Sequence, residues 1–206
     1  MVIGLIIVGI IGLIIFVNFL PKNKKTSDEG VIINGVKWAT CNVDNPGTFA
    51  NSPETTGKIY QWNRKTPWST DSYVNTSRWD STWHDSDLWE KSNDPCPEGW
   101  RLPTVNEFQS LFGSDELKLK LTTINGIVGL RITDKASNNS LFLPAAGQRS
   151  NSDGKHVELD KMGRYWSGTS DYEGNAYCLR FGIYDGIVNT EIRRRELGFT
   201  IRCVAE

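Results

Sequence analysis

Few side chains in this 206-residue sequence are of a kind that performs covalent or metal chemistry: 4 cysteines, at 41, 96, 178 and 203, and 2 histidines, at 84 and 156. Both histidines lie in polar stretches, and the sequence contains neither Gly-x-Ser-x-Gly nor His-Glu-x-x-His, so no hydrolase or zinc-peptidase machinery is legible. His84-Asp85-Ser86-Asp87 offers carboxylates and loop carbonyls to a hard cation such as calcium. A single short acidic loop is more often a solvated turn, and no metal and no cofactor is expected. Arg101 and Glu107, beside Trp100 and Pro103, form the one cluster that could pass for acid–base chemistry. They read better as hydrogen-bonding groups that fix a turn and a helix start, because Thr104-Val105-Asn106-Glu107 is a capping box.

These residues must be positioned by short elements. Residues 31–33 and 36–40 flank Asn34-Gly35 and read as a hairpin. Residues 44–89 carry Asn, Ser, Thr, Pro, Asp and Trp without a sustained period and read as long loops held down by aromatics. The capping box predicts a helix over 105–112, with Phe108, Leu111 and Phe112 on one face. Ser114-Asp115-Glu116 predicts a second short helix through Leu121. Period-two runs at 127–132, 140–144, 176–181 and 199–204 predict strands. One or two helices within a mostly antiparallel, loop-rich sheet make an α+β fold.

Cys96-Pro97-Glu98-Gly99-Trp100-Arg101-Leu102-Pro103-Thr104, then Glu107-Phe108, is answered late in the chain by Gly198-Phe199-Thr200-Ile201-Arg202-Cys203-Val204. Between them stand Tyr165-Trp166-Ser167-Gly168-Thr169-Ser170, Asn175-Ala176-Tyr177, Leu179, Phe181, Val188 and Arg194. The pattern resembles the Fibrobacter succinogenes major paralogous domain family of Bacteroidetes surface proteins and covers roughly residues 35–204. The resemblance implies a C-type-lectin-like fold, a surface-displayed binding scaffold rather than an enzyme, and a Cys96–Cys203 disulfide joining the helix region to the last strand. Whether Cys41 and Cys178 form a second bridge stays open.

The interspersed residues Asp171, Tyr172, Cys178, Arg180, Tyr184, Asp185, Asn189 and Arg193, with Arg195, fit no core period. They resemble the variable positions of retroelement-diversified surface proteins, although Glu173, Glu191 and Glu196 do not fit adenine-directed change. An alternation that turns Tyr177, Leu179 and Phe181 inward turns Cys178 and Arg180 toward a ligand-facing side. This implies recognition of a protein or glycan by a face over residues 171–196, where Tyr and Arg supply contact area and bidentate hydrogen bonds. Calcium-dependent sugar binding is not implied, because Glu-Pro-Asn, Gln-Pro-Asp and Trp-Asn-Asp are absent. Arg-Leu-Pro-Thr also occurs in formylglycine-generating-type enzymes, which makes such an enzyme, or a structural appendage subunit, the alternative.

Composition bounds the rest. Net charge is -1 from 23 basic and 24 acidic residues, so nothing draws nucleic acid, and the Arg193-Arg194-Arg195 run is too short to change that. Residues 2–20 are apolar apart from Asn18 and would span roughly 28 Å as a helix. With no basic residue ahead of them and no small-residue cleavage site, they read as a retained membrane anchor. Residues 21–30 then read as a linker and 31–206 as one domain. Lys22, Lys24 and Lys25 oppose an outward orientation under the positive-inside rule, whereas the cysteine and tryptophan content favours an extracytoplasmic or cell-surface domain.

Overall fold

Turn chemistry and period-two alternation dominate the chain, and the computed structural model, which describes residues 27–71, 77–83 and 86–206, is built almost wholly of strands. In chain order they are β1 (Val31–Ile33), β2 (Val36–Trp38), β3 (Tyr60–Gln61), β4 (Trp100–Arg101), β5 (Leu117–Ile124), β6 (Ile127–Asp134), β7 (Ser140–Pro144), β8 (Gln148–Arg149), β9 (His156–Val157), β10 (Met162–Ser170), β11 (Asn175–Gly182), β12 (Val188–Arg194), β13 (Gly198–Phe199) and β14 (Val204–Ala205). They form four sheets, ordered β1-β2-β14-β4, β3-β13-β8-β9, β5-β6-β7 and β10-β11-β12. Asn34 and Gly35 both take positive φ, at 47° and 80°, which gives the β1–β2 turn the twist a two-residue hairpin needs.

The expected α+β, C-type-lectin-like arrangement is therefore corrected to a nearly all-β one. Among the described residues the helical segments are α1 (Val105–Gln109) and a 3-10 turn over Lys91–Asn93. The capping box is present: the Glu107 amide donates to Thr104 Oγ1 at 3.2 Å, and the Thr104 amide donates to Glu107 Oε2 at 2.7 Å. The helix ends at Gln109 rather than 112. The second helix does not form, because alternating Leu117, Lys118, Leu119, Lys120 and Leu121 is a strand pattern, and this run becomes β5. The final run, expected as one strand, is split: Gly198–Phe199 and Val204–Ala205 pair in different sheets, and Thr200 forms a single parallel bridge with Tyr165. Between them its backbone serves loops and β10: the amides of Ala39 and Val43 donate to the carbonyls of Cys203 and Ile201, and that of Trp166 in β10 to Thr200. The anchor expected over residues 2–20 lies outside the described residues, and among those no helix is long and apolar enough to cross a membrane.

Strands β10 and β11 lie between two apolar cores and feed both. Trp166, Ala176 and Cys178 join Trp62, Phe199 and Ile201 in one core. Tyr165, Leu179 and Phe181 join Trp38, Phe108, Leu130 and Val204 in the other. In the first, the Trp166 and Phe199 rings lie 4.1 Å apart; in the second, Trp38 stacks on Phe108 at 5.5 Å. Loops are tied to this frame by buried arginines. Arg202, fully buried, donates to Asn42 Oδ1 at 2.7 Å and to the carbonyls of Ala39, Thr40 and Phe142 at 3.1, 2.6 and 3.1 Å. The Cys96–Cys203 disulfide is present across a separation of 107 residues. Cys41 and Cys178 are not bridged, and both are buried as thiols.

Replacing Cys96 and Cys203 by Ser should lower stability by about 2–5 kcal/mol in the chain-entropy view of a loop this long. Thermal denaturation with and without reductant checks this; an unchanged midpoint would refute it. Arg101 grips Glu107 bidentately at 2.9 and 2.7 Å. Burial pushes the Glu107 carboxyl up, but the hydrogen bonds from Arg101 and the Thr104 amide outweigh it and hold the group below its ordinary value. Its contribution is thus present above the unfolded carboxyl value of about 4.3 and fades as pH falls through the lower folded value. Acid titration of Glu107→Gln should show a shallower loss of stability below about pH 4 than the native chain shows.

Candidate functional site

The residues expected to form one binding face fall into two groups. The first lies along one side of the β10-β11-β12 sheet. Cross-strand register places Arg164 opposite Arg180, Arg180 opposite Asn189, and Cys178 opposite Glu191. The two cationic neighbours are neutralised locally. Arg180 pairs with Asp185 and approaches Glu191 Oε1 at 3.6 Å, while Arg193 Nη2 lies 2.6 Å from Glu191 Oε2. Arg164 pairs with Glu158 at 3.4 Å and donates to Gln148. The hydrogen bond from Arg180 holds the Asp185 carboxyl below the usual carboxylate range.

This row corrects the expected facing of β11. Leu179 and Phe181 do turn inward, but Ala176, Cys178 and Arg180 on the other side are buried as well. The strand is sandwiched, so alternation did not mark an exposed side. Cys178 sits wholly inside the core beside Trp62 and Trp166, where burial pushes its thiol up to about 12. It is neither a ligand contact nor a nucleophile at neutral pH. Asn189 is half-buried, and Tyr184 stands 84% exposed at the β11–β12 turn.

The second group surrounds the turn that precedes β11. Arg195 is buried and its guanidinium is spent on carbonyls: Nε donates to Asn175 at 2.9 Å, Nη1 to Ser86 at 2.6 Å and Nη2 to Asp171 at 3.2 Å. It also lies over the Trp62 and Trp83 rings, at 4.3 and 5.8 Å from their centres. One side chain thereby locks the 171–175 turn to Trp83 and Ser86. Leu88 bridges Thr169 as a strand residue would, and Ser170 Oγ donates to the Asp87 carbonyl at 2.6 Å.

Two adjoining open clefts result. One is lined by Trp83, Asp87, Asp171, Tyr172, Glu173 and Arg195. The other runs past Leu88, Trp89, Pro103 and Thr169, and the two share Asp87 and Ser170. The Trp83 indole lies against Gly174, where φ is +75° and an added Cβ would sit 2.9 Å from the ring. Tyr172 is 81% exposed and Leu88 71%. Here the chain combines open apolar surface with three carboxylates, from Asp87, Asp171 and Glu173.

Asp171, Tyr172 and Arg195 were legible as binding residues and Asp87 only as part of a cation loop, whereas Trp83 and Leu88, from a stretch without period, were not legible. The spacing of Trp79, Trp83 and Trp89 among polar residues was the available signal. Geometry also limits which positions can vary. Tyr172, Glu173, Tyr184 and Ile192 are exposed, so changing them opens no gap in the core, whereas Cys178, Arg180 and Arg195 are buried. Among the described residues no group of three or more His, Cys, Asp or Glu side chains could hold a metal ion; His84 and Asp85 lie outside them. Thiol alkylation at pH 8 should leave Cys178 unmodified until the chain is unfolded; rapid labelling of the folded protein at that position would overturn its assignment to the core.

No curated protein and no solved structure matches the chain. The family model for the Fibrobacter succinogenes major domain matches residues 23–205. That span takes in every strand, both cores and both clefts, and the chain belongs to the Fibrobacter succinogenes major domain family.

Proposed function

We propose that this domain is a non-catalytic recognition module, displayed outside the cytoplasm, that binds a glycan in the paired clefts between Trp83, residues 87–89 and the 168–174 segment. The observation that carries this reading is the convergence of Trp83, Leu88 and Tyr172 with the carboxylates of Asp87, Asp171 and Glu173 on a frame fixed by Arg195. Aromatic and aliphatic faces take the C–H side of a sugar ring, and carboxylates accept hydrogen bonds from its hydroxyls. The guanidinium of Arg195 is engaged with carbonyls, and Lys91 and Arg101 on the second cleft are paired with Glu206 and Glu107, which leaves the three carboxylates of the first cleft to favour a neutral or amino-bearing sugar over an acidic one. Display outside the cytoplasm is supported by the Cys96–Cys203 disulfide, which persists in oxidising compartments.

The test is titration of the protein with neutral, amino and acidic oligosaccharides, followed by calorimetry of variants. Tyr172→Ala and Trp83→Ala should each weaken binding about tenfold, roughly 1.4 kcal/mol. Tyr184→Ala, at the far end of β11, should leave affinity unchanged. Absence of binding by every saccharide class, or an equal loss from Tyr184→Ala, would sink the reading.

A further inference from the structure

Among the described strands β12 pairs only with β11, and it forms an open edge of its sheet. No backbone group of residues 189–193 is hydrogen-bonded to a loop among the described residues. An open edge is a template for another strand unless its side chains forbid pairing. The edge strand β5 does forbid it. Lys118 and Lys120 are exposed along it, and a second copy laid antiparallel with Leu119 or Lys120 at the symmetry axis would set lysine against lysine.

Strand β12 has the opposite character. Two copies related by a two-fold axis perpendicular to the sheet keep each side chain on its own face, so only registers that place one residue on the axis are allowed. Centring on Glu191 opposes two carboxylates, and centring on Arg193 opposes two guanidinium groups. Centring on Ile192 sets Glu191 of each copy against Arg193 of the other, Thr190 against Arg194, and Ile192 against itself. Glu191 and Arg193 already point to one face and lie 2.6 Å apart within a chain, so the pairing would close an alternating four-charge network. On the other face Ile192, 47% exposed, would meet its own copy.

We infer that β12 is a self-association edge, which joins two copies of this chain antiparallel in the register centred on Ile192 and makes one six-stranded sheet from two three-stranded ones. Charge complementarity favours a second copy as the occupant and, among the registers centred on Glu191, Ile192 and Arg193, selects the one centred on Ile192. Arg194, at the end of the edge, reaches the side of Trp83 and Glu173, but residues 190–193 line neither cleft, so the inference does not depend on the ligand they take.

Site-directed crosslinking of the full chain reads the register directly. A residue on the axis faces its own copy with Cα atoms about 4.5–5.5 Å apart, within disulfide reach. Ile192→Cys should therefore give a reducible dimer under mild oxidation, while Arg194→Cys, also exposed but paired with Thr190, should crosslink at least about tenfold more slowly. Cys41 and Cys178 are buried and do not compete. Adding Arg193→Glu to Ile192→Cys sets carboxylate against carboxylate and should suppress the crosslink about tenfold. Mixing that double variant with Glu191→Arg/Ile192→Cys should restore it. Equal crosslinking at 192 and 194, or no dimer from Ile192→Cys, would overturn the inference. Should the Glu191→Arg chain fail to fold, the comparison of 192 with 194 still decides.

Discussion

Much of this chain is loop, and a loop buried against a core carries carbonyls that no strand partner satisfies. Guanidinium groups supply the missing donors. Arg202 reaches three carbonyls and one amide oxygen from full burial. Arg149, also fully buried, serves the carbonyls of Ser69, Asp71 and Gly154. Arg195 holds Ser86, Asp171 and Asn175. Burial lowers the pKa of Arg149 and Arg202, the expected sign for a cation drawn out of water, yet the fork geometry offers several donors from one side chain. Lysine, with a point charge, could not span the same set of acceptors. The clefts exist because a side chain that is itself inaccessible fixes the backbone around them.

This division of labour explains what the sequence discloses. The β1–β2 hairpin, the capping box, β7 and most of β6 and β11 were legible because each rests on local chemistry: an Asn-Gly turn, a Thr-x-x-Glu cap or short-range alternation. Strand β5 was misread because Ser114-Asp115-Glu116 looks like a helix start, whereas the Leu–Lys alternation beyond it pairs along its full length with β6. Tertiary pairing outweighed a local signal. The stretch 199–204 failed differently, since its backbone is distributed among β10 and loops distant in sequence.

The candidate site was half legible for a related reason. Polar residues interrupting a strand suggested an exposed face, and Tyr172 and Tyr184 are indeed open. Cys178, Arg180 and Arg195 are not, because β11 is packed on both sides and the polar residues along it neutralise one another. The contribution of Trp83, Asp87 and Leu88 depends on Arg195 drawing a loop about a hundred residues earlier against the 171–175 turn, at a separation of 109 between Arg195 and Ser86. No window of local sequence contains that contact.

The Cys96–Cys203 bond has a topological effect besides its energetic one. It closes a covalent ring that runs from the turn before β4 to the residue before β14, and the 168–174 segment, the Tyr184 turn and the β12 edge all lie on that ring. A peptide bond cut once within it, at the exposed Asn125-Gly126 or Gly186 turns for example, opens the circle without releasing a fragment. Outside a cell, where proteases act on accessible loops, a nicked molecule of this design keeps its two pieces tethered, and the surfaces it presents remain attached to the part of the chain that precedes residue 96.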